Sequence, residues 1–185
     1  MGIRVAFALV PLLVGCGAKL DSGPISQAIA DAPDDHLDAA IDAGIDARPC
    51  TGGDANAMDG TSCLVFVKGA VDHDTAFAAC KAMNAHMVKI DSATTNAAVA
   101  KLAAGSDTFI GATDTATEGT FVWDDGTPVV FTNYRTGEPN NGSGQYQEDC
   151  LVIEASKTPD DTWDDRPCAP VPNVGGGNYA YMCQY

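Results

Sequence analysis

The chain has 185 residues, which is enough for one domain with a well-buried core and appended segments. Its 25 Asp and Glu residues outnumber its 10 Lys and Arg residues, so the formal net charge is -15 at pH 7. This balance argues against nucleic acid as a partner, because phosphates bind to basic surfaces, and it is compatible with binding cations.

Residues 1–16 have the pattern of an export signal. Arg4 supplies a positive charge near the start, and the apolar run over residues 5–14 is too short to span a bilayer as a helix. The ending Leu-Val-Gly-Cys16 resembles a bacterial lipobox, whose cysteine carries the lipid and becomes the mature N-terminus. The cysteine count agrees, since seven cysteines leave one over and Cys16 stands apart from the rest. An ordinary signal peptide with an incidental cysteine is the alternative.

This pattern predicts where the protein resides. We expect an exported lipoprotein of the bacterial cell envelope, on the outer membrane, facing either the periplasm or the surface. Its membrane contact would be the N-terminal lipid anchor at Cys16 only.

A tether rich in Ala and Asp follows over residues 17–49. Asp recurs at every fourth position from Asp34 to Asp46, and apolar residues share that spacing, as on one face of a helix. Like charges four residues apart repel, however, and Gly44 weakens a helix. We interpret the segment as an acidic, mostly disordered tether that reaches roughly 30 Å or more as a flexible coil.

One domain is expected over residues 50–185. Its first segment, residues 50–63, is rich in turn-forming residues and is predicted to be a loop. Hydrophobic periodicity then predicts the other elements. In chain order they are a strand at 64–67, a helix at about 75–84, a strand at 87–90, a helix at about 94–104, strands at 108–111, 118–123 and 129–131, and a last strand at 178–185.

Local signals place the helix starts and two core residues. Asp72 or Asp74 is expected to cap the first helix, and Ser92 the second. Cys80 falls on the apolar face of the first helix, and Trp123 is expected to lie in the core.

Residues 137–168 concentrate hard oxygen donors between and around two cysteines. These donors are Glu138, Asn140, Glu148, Asp149, Asp160, Asp161, Asp164 and Asp165. Calcium takes roughly six to eight oxygen ligands and tolerates irregular geometry, so the segment is a candidate calcium cage. An acidic, solvated loop has the same composition, and composition alone favours that alternative.

The order of the motifs in this segment is distinctive. The chain has Glu138-Pro-Asn140, then Glu148-Asp-Cys150, then Trp163-Asp-Asp165 and a closing Cys168. This order resembles the calcium and sugar site of C-type lectin domains, which have Glu-Pro-Asn with the proline in cis, a Glu, and Trp-Asn-Asp. Two departures stand out: Asp164 replaces the usual asparagine, and the loop before Glu148 is longer than in compact mannose-binding members.

The resemblance implies an α+β C-type lectin-like fold, with two helices, curled antiparallel sheets and a long calcium-binding loop. Six cysteines outside the export signal allow 15 pairings when only the sequence is considered. The family pattern selects Cys50–Cys63, Cys80–Cys183 and Cys150–Cys168.

The resemblance also implies ligand sets. The principal calcium ligands would be Glu138, Asn140, Glu148, Asp164 and Asp165. The first four of these would also contact the sugar. An auxiliary calcium would be held by Asp114, Glu118, Asn141 and Asp149, with Glu148 shared.

These motifs predict calcium-dependent carbohydrate binding of the mannose, N-acetylglucosamine or fucose type, with a glycoconjugate as the partner. The alternative is a calcium-stabilised protein-binding or adhesion module of the same fold, which Asp164 favours because it lacks an amide donor. An enzyme is not expected, since the chain has neither a G-x-S-x-G motif nor a histidine-activated nucleophile motif.

Overall fold

The computed structural model describes residues 49–103, 105–157 and 161–185. The predicted export signal with Cys16, the tether up to residue 48, and Asp160 lie outside the described residues. Among the described residues, no helix has both the length and the apolar character needed to cross a membrane.

The architecture is α+β, with two helices packed against one sheet among the described residues. The elements are β1 (Ala55–Asp59), β2 (Ser62–Val71), α1 (His73–Ala82), β3 (His86–Met87), α2 (Ala93–Ala103), β4 (Thr108–Thr113), β5 (Val122–Trp123), β6 (Cys150–Ile153), β7 (Trp163–Arg166) and β8 (Tyr179–Gln184). The strand order is β1-β2-β8-β4-β6-β7, with β3 paired to β8 and β5 to β4. Only the β4–β8 pair is parallel in this part of the chain.

The sheet separates two apolar clusters. Successive residues of a strand point to opposite faces, so Phe109 lies in one cluster and Ile110 in the other. The larger cluster surrounds Trp163, which is fully buried and makes edge-to-face contacts with Trp123, Phe131 and Tyr134. The prediction that Trp123 belongs to the core is therefore confirmed.

Both helices begin at side-chain caps. The Asp72 carboxylate accepts a hydrogen bond from the Thr75 N–H at 2.8 Å, and the Ser92 hydroxyl accepts one from the Thr95 N–H at 3.1 Å. Asp72 is thus the correct choice of the two predicted caps for α1, and the helix starts and ends two residues earlier than predicted. Cys80 faces the core, as predicted.

All three disulfides implied by the family pattern are present. Cys50–Cys63 links the segment before β1 to β2, and Cys150–Cys168 links β6 to the segment after β7. Cys80–Cys183 joins α1 to β8 across a sequence separation of 103. In the chain-entropy account, a loop of that length stabilises the fold by about 4–5 kcal/mol.

Four predicted elements differ from the structure, two of them for a clear local reason. Residues 50–63 are not all loop, because β1 pairs with β2 around a turn at Gly60; the residues of β1 are mostly exposed and give no apolar pattern. The strand predicted at 129–131 is absent: Pro128 has no N–H to donate, and Val130 is 86% exposed. The strands predicted at 118–123 and 87–90 are reduced to β5 and β3.

The strands that hold the site, β6 and β7, were not delimited from the sequence either. The buried side chain of Asn96 connects α2 to β7. Its Oδ1 accepts a hydrogen bond from the Trp163 indole N–H at 2.7 Å, and its Nδ2 donates to the Asp161 carbonyl at 2.9 Å. Asn96 therefore fixes the start of β7.

We predict that Asn96→Ala lowers the free energy of unfolding by about 1–3 kcal/mol, because it leaves a buried indole N–H without an acceptor. Chemical denaturation of the wild type and the variant measures this difference. Thr94→Ala, on the exposed side of the same helix, is the matched control and should change stability little. Equal stability of all three proteins would contradict the role assigned to Asn96.

Candidate functional site

The candidate site lies where residues 133–141 run beside β7. The backbone N–H of Trp163 donates to the Asn133 carbonyl at 2.8 Å, and the backbone N–H of Arg135 donates to the Trp163 carbonyl at 2.8 Å. The Glu138 N–H in turn donates to the Arg135 carbonyl at 3.0 Å. These backbone bonds bring the Glu-Pro-Asn motif next to the Trp-Asp-Asp motif, although the two are distant in sequence.

Asp165 holds the loop onto the strand. Its carboxylate accepts hydrogen bonds from the Asn140 N–H, at 3.0 and 3.1 Å to its two oxygens, and from the Asn141 N–H at 2.6 Å. The side chain is almost fully buried. The peptide bond between Glu138 and Pro139 is cis, as the family pattern implies. The loop conformation at the motif therefore depends on one buried carboxylate.

Glu148 closes the other side of the loop. Its Oε2 accepts a hydrogen bond from the Gly142 N–H at 2.7 Å, and its own N–H donates to the Asn141 Oδ1 at 2.8 Å. Gly142 has φ of 57° and lies so close to the Tyr146 ring that a Cβ would be 2.9 Å from a ring carbon. Any larger residue here would strain the backbone and push the Tyr146 ring aside, so the position favours glycine.

Carboxylate oxygens converge at the centre of the site. One oxygen from each of Glu138, Asp164 and Asp165 lies within 4.8 Å of the other two, and this is the only such group within residues 49–103, 105–157 and 161–185. Asn140 adjoins the group, since its Nδ2 contacts the Glu138 Oε2. Glu148, the fifth predicted principal ligand, is not in the converging group.

Burial perturbs the protonation of these acids. Desolvation raises the pKa of Asp164 to about 7, against the opposing effect of the Arg166 guanidinium. It also raises the pKa of Glu148, and the hydrogen bond from the Gly142 N–H opposes that shift. Neighbouring carboxylates add to both increases. When its acids are ionised, the site therefore has an excess of negative charge.

The residues present fit a calcium ion. All the donors are hard oxygens, from carboxylates and an amide, which calcium prefers over the nitrogen and sulfur ligands typical of zinc. A divalent cation between the oxygens of Glu138, Asp164 and Asp165 would offset the repulsion among buried like charges.

The predicted auxiliary residues lie near one another beside this group. The Asn141 Nδ2 donates to the Glu118 Oε2 at 2.7 Å, and the Asp114 N–H donates to the Asp149 carbonyl at 3.1 Å. Asp114 is buried, and its Oδ1 has no hydrogen-bond partner among the described residues. Desolvation and the charge of Asp149 raise the pKa of Asp114. The structure thus gathers the four residues without bringing three of their carboxylate oxygens together.

The sequence reading missed a group of ionised side chains under the site. Glu154 is fully buried and forms ion pairs with both Arg135 and Arg166. The Arg166 Nη2 also lies 2.6 Å from the Asp164 Oδ2, and its Nη1 lies 3.9 Å from the Glu148 Oε1. One signal was available: Arg166 follows Asp164 by two positions, which places both on one face of a strand.

Without a bound metal, we predict that the stability contributed by Asp164 declines as pH rises. Its folded pKa of about 7 exceeds the usual value of 3.8, so the native state binds the proton more tightly than the unfolded state. Between about pH 4 and 7 the wild type should lose about 1–3 kcal/mol relative to Asp164→Asn, which has no group to ionise. Denaturation in chelator across this range measures the difference, and parallel pH profiles would contradict it.

Comparison with known proteins agrees with this geometry. The family model "Lectin C-type domain" matches residues 70–174. The chain is 37% identical over 106 residues to the low affinity immunoglobulin epsilon Fc receptor of Mus musculus, a match covering 57% of this chain and 30% of the relative. It is 38% identical over 77 residues to the alpha-N-acetylgalactosamine-specific lectin of Patiria pectinifera, covering 41% and 39%. The chain thus spans less than half the length of these curated relatives.

Solved structures show the same fold. The cow C-type carbohydrate-recognition domain of CD23, in the presence of a GlcNAc2Man3 oligosaccharide, is 27% identical with a TM-score of 0.59, covering 73% of this chain and 95% of that domain. A calcium-independent type II antifreeze protein shares the fold alone. It is 23% identical with a TM-score of 0.60, and the match covers 73% of this chain and 94% of that protein. With the family model matching more than half of its length, the chain belongs to the C-type lectin domain family.

Proposed function

We propose that this domain binds carbohydrate in a calcium-dependent manner. The observation that carries the proposal is the convergence of oxygens from Glu138, Asp164 and Asp165 beside the side-chain amide of Asn140. Neighbouring sugar hydroxyls both donate and accept hydrogen bonds, so a site for them needs acceptors and donors together. The carboxylates are acceptors, and the Asn140 amide is a donor.

The proposed ligands of the principal calcium are Glu138, Asn140, Glu148, Asp164 and Asp165. Calcium bound there would supply a positive centre whose remaining coordination positions two sugar hydroxyls complete. The chain's own contribution is to hold the loop in place through Asp165 and Glu148, which bind the backbone N–H groups of Asn140, Asn141 and Gly142. Asp114, Glu118, Asn141 and Asp149 are proposed to hold an auxiliary calcium.

We propose the mannose, N-acetylglucosamine or fucose class as the sugar, on the Glu138-Pro-Asn140 order. The names of two relatives support binding of a carbohydrate: the lectin of Patiria pectinifera and a mannose-binding protein of Gallus gallus, which is 41% identical over 64 residues. The relatives are named as lectins and receptors, and we propose a binding role without catalysis.

The second candidate is a calcium-stabilised module that binds protein or mediates adhesion. Asp164 favours it, because a carboxylate cannot donate the hydrogen bond that an asparagine amide donates. Fold neighbours such as human lithostathine and the antifreeze proteins share the architecture. This candidate predicts stabilisation by calcium and no response to sugars.

We also propose that the domain is displayed on the bacterial envelope through a lipid on Cys16 and the acidic segment at 17–49. A single site of this kind would gain avidity when many copies are held on one surface. Replacement of Cys16 by serine should move the protein from the membrane fraction to the soluble fraction of the cell. Unchanged fractionation would exclude the anchor.

We predict two successive increases in the melting temperature. Millimolar calcium should raise it relative to chelator, because extracellular calcium sites often bind at about 10⁻⁴–10⁻³ M and a ligand of the native state stabilises that state. Saturating mannose, fucose or N-acetylglucosamine should raise it further, and only in the presence of calcium.

Matched variants separate the site from general charge effects. Glu138→Gln should weaken both increases, whereas Asp91→Asn, an exposed acid in the loop before α2, should weaken neither. If calcium raises the melting temperature but no sugar of a broad panel raises it further, the second candidate function replaces the proposed one. No response to calcium would reject both.

A further inference from the structure

Arg166 lies beside the candidate site, and the buried Glu154 fixes the position of its guanidinium. Its Nη2 donates a hydrogen bond to the Glu154 Oε1 at 2.9 Å. Glu154 is fully buried, and its own N–H donates to the Thr162 carbonyl at 2.8 Å, so its position is set by the strands. A charge-assisted bond to a buried, fixed carboxylate orients the guanidinium.

The same guanidinium nitrogen neutralises the residue that departs from the family pattern. The Arg166 Nη2 lies 2.6 Å from the Asp164 Oδ2, which leaves the Asp164 Oδ1 for the site. An asparagine at position 164 would offer one oxygen, one N–H₂ group and no charge. Asp164 and Arg166 together offer a carboxylate oxygen, several N–H groups and no net charge. The pair therefore supplies the same kinds of group, an acceptor and donors without net charge, as the amide that the chain lacks.

Some N–H groups of the Arg166 guanidinium make no hydrogen bond to the described part of the chain. An arginine has five N–H groups in a rigid fork. Its Nη1 is 3.9 Å from the Glu148 Oε1, which is too far for a hydrogen bond, and Nη1 and Nε make none within the described part of the chain. The Arg166 side chain is 29% exposed. Donors thus remain, at the rim formed by Asp164 and Glu148.

We propose that Arg166 is a specificity-determining residue of this site, whose guanidinium donates a hydrogen bond to a hydroxyl oxygen of a neutral sugar in place of the amide that Asp164 cannot supply. This inference rests on the proposed carbohydrate-binding function. The sugar is neutral, because an acidic sugar would be repelled by Glu138, Glu148 and Asp165. Arg166 contacts Asp164 without being needed to hold the cation.

The test is a double-mutant cycle on the affinity of the full chain for mannose or the best sugar of the panel, in saturating calcium. Arg166→Met should weaken sugar binding about tenfold, the effect of losing one charged donor. Asp164→Asn restores an amide, so Arg166→Met should cost less than about twofold in that background. Calorimetric calcium affinity, measured without sugar, should not fall in Arg166→Met.

Two further variants keep the test decisive. Lys101→Met removes an exposed cation from the last turn of α2 and should leave sugar affinity unchanged. Arg166→Lys keeps the positive charge that stabilises Glu154. A lysine ammonium lacks the forked N–H groups that could bond Glu154 and a sugar at the same time, so this variant should also bind sugar more weakly. It decides the matter if Arg166→Met does not fold.

Three results would overturn the inference while the proposed function stands: wild-type sugar affinity in Arg166→Met and Arg166→Lys, an equal loss in both backgrounds, or a loss of calcium affinity that accounts for the loss of sugar. A wild-type chain that binds calcium but no sugar would remove the proposed function, and this inference with it. The two failures are thus distinguishable.

Discussion

The central constraint on this domain is the burial of two adjacent carboxylates. Asp164 and Asp165 are 2% and 1% exposed, and ionised groups at such positions need compensating partners. Neighbouring residues of a strand start on opposite sides, yet one oxygen of each acid lies within 4.8 Å of the other, and only their further contacts differ. Asp165 binds the backbone N–H groups of the Glu-Pro-Asn loop, and Asp164 faces Arg166. The loop conformation and the composition of the site both follow from this division.

The rest of the fold positions that pair of acids. Trp163, the preceding residue, is at the centre of the larger apolar cluster and donates its indole N–H to Asn96 of α2. The Cys150–Cys168 disulfide joins β6 to the chain just beyond β7. The two acids thus lie on a strand that the core anchors on one side and a disulfide on the other. The loop that completes the site is held by hydrogen bonds to Asp165 and Glu148.

The sequence predicted the helices through local caps and the family through ordered motifs, and the family resemblance then implied the disulfide pairing. Asp72 and Ser92 are readable as caps without any tertiary information. The sequence could not delimit β1, because the exposed residues of β1 lack an apolar pattern. It also could not exclude a strand near Val130, because strand formation there depends on a partner strand. For the site, the motifs brought Glu138, Asp164 and Asp165 to attention, but the part played by Arg166 and Glu154 depends on side-chain contacts between β6 and β7. The two-residue spacing places Asp164 and Arg166 on one face of a strand, but no pattern in the sequence indicates the contact of Arg166 with Glu154.

A calorimetric titration of calcium into the metal-free protein tests the central claim most directly. The account predicts saturable binding with a dissociation constant of about 10⁻⁴–10⁻³ M or tighter, which is lost when Asp165 is replaced by asparagine and retained when the exposed Asp91 is replaced in the same way. Absence of saturable binding to the wild type, or equal binding to the Asp165 variant, would contradict it. The converging carboxylates would then be a purely structural cluster, balanced by Arg166 and backbone N–H groups alone.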